Sequence, residues 1–505
     1  MIIPDIIENS ARIYPKRKAL IFENSAFTYK NLNRKINRQA RHLITKYGVK
    51  KGDTIGILLA NSSEYIIYAY AVIKTGATLV PINNFLTTRE IGYITDDCRI
   101  SYLISSNEFV SHFDKLLKKC DTLKKILSVN RTTAHPGIDH IEIDKENILT
   151  ENLNINIDPN DVAVITYTSG TTGYPKGAML SHKNLVSNST TCTEEISVSK
   201  KDRILLFLPM FHSFTFTVCI LLPLTRGACI VALPSVKPFS RVLKKILLNR
   251  ITIFVAIPKI YDILSAKKIP FWLKPFIKVR LCISGSAPLS IETIERFKKN
   301  IGLILIEGYG LTEASPVVSL NPFDGIQKPG SIGLPIGNVK VRIVDEDMRD
   351  LPQGEVGELI VQGDNVMLGY YNKPIDTKET IKDNWLLTGD LAKIDKDGYL
   401  YIVDRKKNMI LVQGMNVYPR EIEEIIISHP AVEETAVIGF KDKNRGEVPV
   451  AFIVKKSGHS LAKKEISAYC KERLATYKCP RKINFIDQLP RSATGKILKE
   501  NLTNR

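Results

Sequence analysis

Alternation is the feature that most narrows what this chain can fold into. Over the first four-fifths of its 505 residues, short apolar or β-branched runs at 51–59, 78–82, 102–105 and 162–168 alternate with helix-length segments such as 30–47 and 63–75. A strand covered on both faces reads as a continuous apolar run, and parallel neighbours need a crossover between them, so the pattern predicts mostly parallel sheets flanked by helices. Between 330 and 361 the texture changes: KVRIVDE and GELIVQG stand among Gly, Pro and Asp turns, which predicts a β-rich subdomain. The polar stretch DRKKN at 404–408 lies between the apolar runs YLYIV and MILV and suits a linker or hinge. Beyond it the spacing predicts a helix over 419–429, strands at AVIGF and VAFIV, a helix over 463–474 and a last strand near Ile483. The expected fold class is therefore α/β. A large N-terminal domain of α/β subdomains plus a β-rich subdomain covers 1–406, and a small, mobile α+β lid covers 407–505.

Charge and cysteine content set the setting rather than the chemistry. The formal charge of +19 fits a solvated basic surface as well as attraction to polyanions, and no basic run is interleaved with aromatics as in a nucleic-acid groove. Nucleic acid is not an expected partner. From Lys407 onward 18 basic residues face 11 acidic ones, an excess that suits closure over phosphates. The eight cysteines form no CxxC pair and no His/Cys cluster at metal spacing, so reduced, inert thiols are expected. The first residues, MIIPDIIENSARIYPKR, lack a basic region followed by a long apolar core, and a cytoplasmic location is expected. One stretch, ILLFLPMFHSFTFTVCILLPL at 204–224, has the length of a membrane span and no charged residue. Pro209 and Pro223 interrupt it, and His212, Ser213, Thr215 and Thr217 would be costly in lipid without neighbouring spans. A buried strand end followed by a core helix is the expectation.

The strongest local signal is YTSGTTGYPKG at 167–177, directly after the strand-like AVITY. Glycines allow backbone N–H groups to turn inward as an anion nest, while Thr168, Ser169, Thr171, Thr172 and Lys176 add hydroxyl donors and a positive charge. Gly170 and Gly173 supply the freedom. The spacing is not that of a Walker A loop. A plain flexible turn would leave that concentration of phosphate-type donors unexplained.

This loop resembles the phosphate loop of the adenylate-forming superfamily, which includes acyl-CoA synthetases, aryl-CoA ligases, luciferases and peptide-synthetase adenylation domains. The family's other motifs recur in order along essentially the whole chain. SGSAPL at 284–289, with Gly285 and Ser286, looks like the adenine-wall strand. YGLTE at 309–313 matches the motif in which, by resemblance, Tyr309 stacks on adenine beside Gly310, Thr312 contacts the α-phosphate and Glu313 holds Mg2+. TGD at 388–390 matches the turn whose aspartate, here Asp390, binds the ribose hydroxyls. Arg405 and Lys407 lie where the family has a ribose- or phosphate-contacting arginine and a hinge residue. PRSATGK at 490–496 matches the loop whose lysine, here Lys496, reaches the adenylation site. Gly414 and Asn416 would belong to the face presented to the thiol after the lid turns. Asn408 departs from the pattern, since many relatives have Asp there.

The resemblance implies ATP, Mg2+ and CoA as cofactors and co-substrates, with Thr168, Lys176, His212, Glu313 and Lys496 as catalytic residues. Physical logic agrees: a carboxylate attacking an α-phosphate needs in-line placement and neutralised oxygen charge more than covalent help. His212 occupies the position beside the acyl carboxylate, where amino-acid-activating relatives usually place an Asp. Phe211, Phe214, Phe216, Val218, Ile220 and Leu221 suit an apolar acyl tunnel or an ordinary core alike. The continuation TEASPVVSLNP at 312–322 is similar to bacterial fatty-acyl-CoA synthetases, so a medium- to long-chain fatty acid is the expected substrate. Acyl-carrier protein as acceptor, an aryl or specialised acid, and a catalytically idle nucleotide-binding module are the alternatives. The stretch KKIPFWLKPFIK at 267–278 would suit peripheral contact with an anionic membrane at its inner face, or an ordinary packed loop with exposed lysines.

Overall fold

The computed structural model describes residues 1–130, 135–142, 149–168, 175–412, 415–442, 446–491 and 497–502. Ser169, Gly170, Thr171, Thr172, Gly173, Gly414 and Lys496 lie outside the described residues. The chain divides into two compact units, Met1–Val341 with Val361–Leu386, and Arg342–Ile360 with Leu387–Arg505.

Local signals start and stop the helices of the first unit. Thr28, Ser62, Thr87, Ser181 and Ser290 each accept a backbone N–H from the first turn that follows, and Thr87 and Ser181 complete reciprocal capping boxes with Glu90 and Asn184. Gly48, at φ 65°, ends the helix Tyr29–Tyr47 in the left-handed conformation that costs glycine nothing.

Those helices cover two sheets. In the first, Arg203–Leu206, Cys229–Ala232, Ile253–Ala256, Leu281–Ser284 and Leu305–Gly310 are joined in parallel, as is Lys18–Phe22 next to Cys229–Ala232. Antiparallel strands finish both edges of its nine. In the second, of eight strands, Thr54–Leu58, Thr78–Pro81, Tyr102–Ser105, Lys125–Ser128 and Val162–Thr168 run parallel, and Lys176–Ser181 folds back beside Val162–Thr168. The predicted mostly parallel, two-face-covered sheets are present, and their strands are buried almost end to end.

The charge-free stretch at 204–224 is protein interior. It enters as the strand Arg203–Leu206, turns at Pro209, and becomes a π-helical segment Thr215–Leu221 continued by Leu222–Thr225. Its polar groups have protein partners: Ser213 Oγ lies 3.1 Å from Thr312 Oγ1, and Thr217 Oγ1 donates to the Ser315 carbonyl at 3.2 Å. Among the described residues no helix is long and apolar enough to cross a membrane.

The second unit holds most of the strands Lys340–Val344, Gly357–Gln362, Trp385–Ile394 and Leu400–Arg405, and all of a further sheet built on the long antiparallel pair Val432–Asp442 and Gly446–Lys455. Along that pair the side chains alternate between two apolar clusters. Val437, Ala451 and Ile453 pack with the helices Pro419–Ile427 and Lys463–Lys471, whereas Ala436, Ile438, Val450, Phe452 and Val454 pack with Leu489 and Leu502. The period of two thus buries both faces of the sheet.

Candidate active site

Four segments carrying predicted site residues leave the carboxyl ends of strands in the first unit: 207–214 after Arg203–Leu206, 285–286 after Leu281–Ser284, 311–313 after Leu305–Gly310, and the loop after Val162–Thr168. Ligands of open α/β sheets bind in the crevice outside the carboxyl ends of the strands. The turn at 310–315 is set by one close approach. A Cβ on Gly310 would stand 2.1 Å from the Pro316 carbonyl oxygen, so no side chain fits, and Leu311 N donates to the same carbonyl at 2.9 Å. The turn presents Glu313 in a single 3-10 turn, Thr312–Ala314.

Glu313 joins the two sheets' loops. Its Oε1 accepts from Thr168 Oγ1 at 3.3 Å and from the Tyr370 hydroxyl at 2.9 Å. Burial, and then the Glu313 charge, push the Tyr370 phenol well above its ordinary range, so it stays protonated and donates. Thr168 and Lys176 are directly paired across the Val162–Thr168 and Lys176–Ser181 strands, at the loop end of the hairpin. Lys176 is ion-paired with Asp376 and lies 5.5 Å over the Tyr370 ring. The base of the hairpin loop is braced by Tyr167, whose hydroxyl donates to Asp97 and lies 3.1 Å from Cys98 Sγ.

The expected acyl segment runs alongside. The Ser213–Thr312 and Thr217–Ser315 contacts tie it to the turn that carries Glu313. His212 Nδ1 accepts from Phe214 N at 3.3 Å, which assigns the ring proton to Nε2. The Phe214 ring lies against Gly285, where an added Cβ would come within 2.9 Å of it. Ser286 holds φ 70°, a left-handed conformation uncommon for serine and concentrated at functional sites. Phe211, Phe216 and Val218 are buried, and Ile220 and Leu221 fully so. Tyr309 is half-buried at the end of its strand.

In the second unit Asp390 and Arg405 face each other across paired strands, with Arg405 Nε 3.1 Å from Asp390 Oδ1. Glu358, buried, holds the turn from beneath: it accepts from Gly389 N at 3.1 Å and pairs with Lys406 Nζ at 2.9 Å. Lys407 is exposed, its Nζ 3.2 Å from Glu500. Asp404 is a buried anchor for this stretch, accepting from Arg405 N, from Arg420 N at 2.8 Å and from Asn408 Nδ2 at 3.2 Å. The last bond gives Asn408 a physical reason: a carboxylate there would meet Asp404 without a proton to donate. Asn416 is exposed on the short strand Met415–Val417. The ends of the loop that carries Lys496 meet at an Arg491–Ile497 bridge, with Leu498 N donating to the Pro490 carbonyl at 2.8 Å. Ion pairs Arg491–Glu434 and Lys499–Glu423 flank it.

The donor set fits magnesium. Among the described residues no group of three or more His, Cys, Asp or Glu side chains could cage an ion, and both bonds to Glu313 fall on Oε1. Magnesium is commonly held by one or two carboxylates together with substrate phosphates and water, which asks of the protein one well-placed carboxylate. Sequence reasoning missed Tyr370, Asp376, Glu358 and Asp404. Tyr370, Asp376 and Glu358 act through contacts distant in sequence, whereas Asp404 stands in the polar stretch 404–408, whose sequence suits a linker or hinge but does not mark Asp404 as its anchor.

Known families, proteins and structures resemble this chain along its length. The model described as AMP-binding enzyme matches residues 7–371, and that described as AMP-binding enzyme C-terminal domain matches 421–496. A protein of Bacillus subtilis (strain 168) named long-chain-fatty-acid–CoA ligase is 34% identical, with 99% of this chain and 94% of that one covered. A feruloyl-CoA synthase of an Amycolatopsis species is 33% identical, with 98% and 97% covered. The solved o-succinylbenzoate coenzyme A synthetase of Bacillus subtilis, in complex with ATP and magnesium ion, superposes with a TM-score of 0.85 at 29% identity over 99% of both chains. With motifs in register, both halves matched and the fold shared along its length, this chain belongs to the AMP-binding enzyme family.

Proposed function

We propose that the protein is a fatty acid–CoA ligase. A fatty-acid carboxylate oxygen attacks the α-phosphorus of ATP, the bond from that phosphorus to the bridging oxygen breaks, and pyrophosphate leaves. The CoA sulfur then attacks the acyl carbon of the adenylate, and AMP leaves as the thioester forms. The observation that carries the reading is one connected cluster. The Thr168–Glu313–Tyr370 bonds and the Ser213–Thr312 contact bring a phosphate-loop end, a metal-type carboxylate and an apolar, acid-free acyl segment together. The fatty-acid–CoA ligases among its relatives support the same substrate class.

The residues divide the work. Thr168, Lys176 and the loop residues Ser169, Gly170, Thr171, Thr172 and Gly173 hold the β- and γ-phosphates. Gly285, Ser286, Tyr309 and Gly310 frame adenine, Thr312 meets the α-phosphate, and Asp390 and Arg405 take the ribose. Glu313 holds Mg2+, which when bound offsets charge on the phosphate oxygens. His212, with its proton on Nε2, donates toward the acyl carboxylate. Lys496 brings positive charge to the reacting centre in the first step, and the lid then pivots at Lys407 to offer Gly414 and Asn416 to CoA. The boundary between the domains 1–406 and 407–505 is drawn at that pivot.

Pyrophosphate release over a panel of fatty, aryl and amino acids tests this reading, with CoA and acyl-carrier protein competing as acceptors. Fatty acids and CoA should be preferred; the absence of release with every acid would leave only a nucleotide-binding module. A cytoplasmic location belongs to the same reading, as does peripheral contact with anionic lipid on the inner face. Trp272 and Phe276 are 61% and 64% exposed on the 3-10 segment Phe271–Phe276, among the exposed Lys267, Lys268, Lys274 and Lys278. Cosedimentation with anionic but not zwitterionic vesicles, lost in Trp272→Ala/Phe276→Ala, is the expected result.

A further inference from the structure

Lys176 is held in a way that phosphate binding alone does not call for. Its ammonium is paired with the Asp376 carboxylate, and the two side chains are only 15% and 25% exposed. The pairing is built into the backbone. Strand Gly369–Tyr370 lies antiparallel to Lys176–Ser181, with Gly369 opposite Met179 and Tyr370 opposite Ala178, and Tyr371 N donates to the Gly177 carbonyl at 2.8 Å. The helix Pro374–Thr380 follows and is packed tightly on that strand. A Cβ on Gly369, at φ 133°, would come within 2.6 Å of Thr377 Cγ2, and Thr377 Oγ1 accepts from Tyr370 N at 2.9 Å. Asp376, in the first turn of this helix, is thereby fixed on Lys176.

We propose that Asp376 is a counter-charge which ATP phosphates and pyrophosphate must compete with at Lys176, and that it weakens the hold on pyrophosphate so that the product leaves. This rests on the adenylation reading, in which Lys176 contacts phosphate. A phosphate oxygen that reaches the Lys176 ammonium also approaches the Asp376 carboxylate, and two anions sharing one cation in a half-buried place repel each other. When pyrophosphate departs, Asp376 recovers the ammonium, so the cation is not left unpaired where water is scarce. No bond or proton changes hands; the step is an exchange of ion partners.

The test measures pyrophosphate binding by calorimetry, and pyrophosphate inhibition and ATP KM in the adenylation assay. Asp376→Asn should lower the pyrophosphate constants and the ATP KM by about twofold to fivefold, the scale of a partly screened ion pair. Asp376→Glu should keep wild-type values. In a Lys176→Ala background the effect of Asp376→Asn should vanish, because the pair is then already broken. Thermal unfolding checks each variant, and Asp376→Ala replaces Asp376→Asn if the latter does not fold. Unchanged or weaker pyrophosphate binding in the neutral variant, or an effect that persists without Lys176, overturns the proposal. A wild-type protein that neither binds pyrophosphate nor exchanges it into ATP sinks the adenylation reading itself. A wild type that does both, with Asp376→Asn indistinguishable from it, sinks the counter-charge alone.

Discussion

The Tyr370 hydroxyl donates to Glu313 Oε1 at 2.9 Å, so a phenol 57 residues downstream orients the carboxylate that we assign to the metal. A ligand carboxylate free to rotate would present its oxygens to an ion only part of the time. Outer partners of this kind commonly matter almost as much as the ligands they hold.

Tyr370→Phe removes the hydroxyl and leaves the ring under Lys176. A hydrogen bond to a charged group contributes about 1.5–3 kcal/mol, so adenylation should fall by roughly tenfold to a hundredfold, with more Mg2+ needed for half-maximal rate. Pyrophosphate release titrated with Mg2+ measures both. An unaltered Mg2+ requirement would remove Tyr370 from this role. Glu313→Gln should cost more, since it removes the ligand charge itself.

Lys496→Ala should abolish adenylate formation while sparing thioester formation from supplied acyl-adenylate. Lys407→Pro should do the reverse, slowing the thioester step more than ATP binding. Single-turnover assays of the two half-reactions separate them. Equal loss of both steps in Lys496→Ala would contradict alternation of the lid.

His182 predicts a limb of acid instability. Burial drives its imidazole down to about 4 against the opposing pull of Asp161, and its Nδ1 accepts from Ile3 N at 3.2 Å. In the unfolded chain the ring titrates near 6.5. Between these values the unfolded chain binds the extra proton, so this stability is complete above pH ~6.5 and is lost as the pH falls toward 4, on the order of 3 kcal/mol in all. Melting temperature against pH should fall less steeply in His182→Gln than in wild type over that window. Parallel curves would contradict the assignment.

The eight cysteines are free and buried, and burial raises thiols such as Cys98 and Cys219 to about 12. A thiol, not a thiolate, is a poor nucleophile. Ellman's reagent at about pH 7.5, well below those values, should therefore find almost no fast-reacting group in the native protein and all eight after denaturation. A rapidly labelled cysteine would contradict the burial of these thiols.

Alternation of short apolar runs with helix-length segments determined the layered, mostly parallel sheets, because strand burial and helix amphipathicity are written locally, residue by residue. The same locality made the phosphate loop readable: its hydroxyls, glycines and Lys176 stand within eleven positions of one another. It also allowed the stretch at 204–224 to be kept out of the membrane, since two prolines and four polar side chains are visible without a fold. What Lys176 and Glu313 touch was decided only by the tertiary structure. Tyr370 and Asp376 reach them because Gly369–Tyr370 pairs with Lys176–Ser181, and strand pairing is a long-range choice that no local pattern records. Phe214 against Gly285 and Glu358 beneath Gly389 are likewise contacts between segments distant in sequence. The sequence by itself determined which chemical groups the protein possesses and which loops carry them. The folded chain decided which carboxylate holds which donor, because hydrogen bonds and ion pairs depend on ångström distances between segments that meet only when the sheets close.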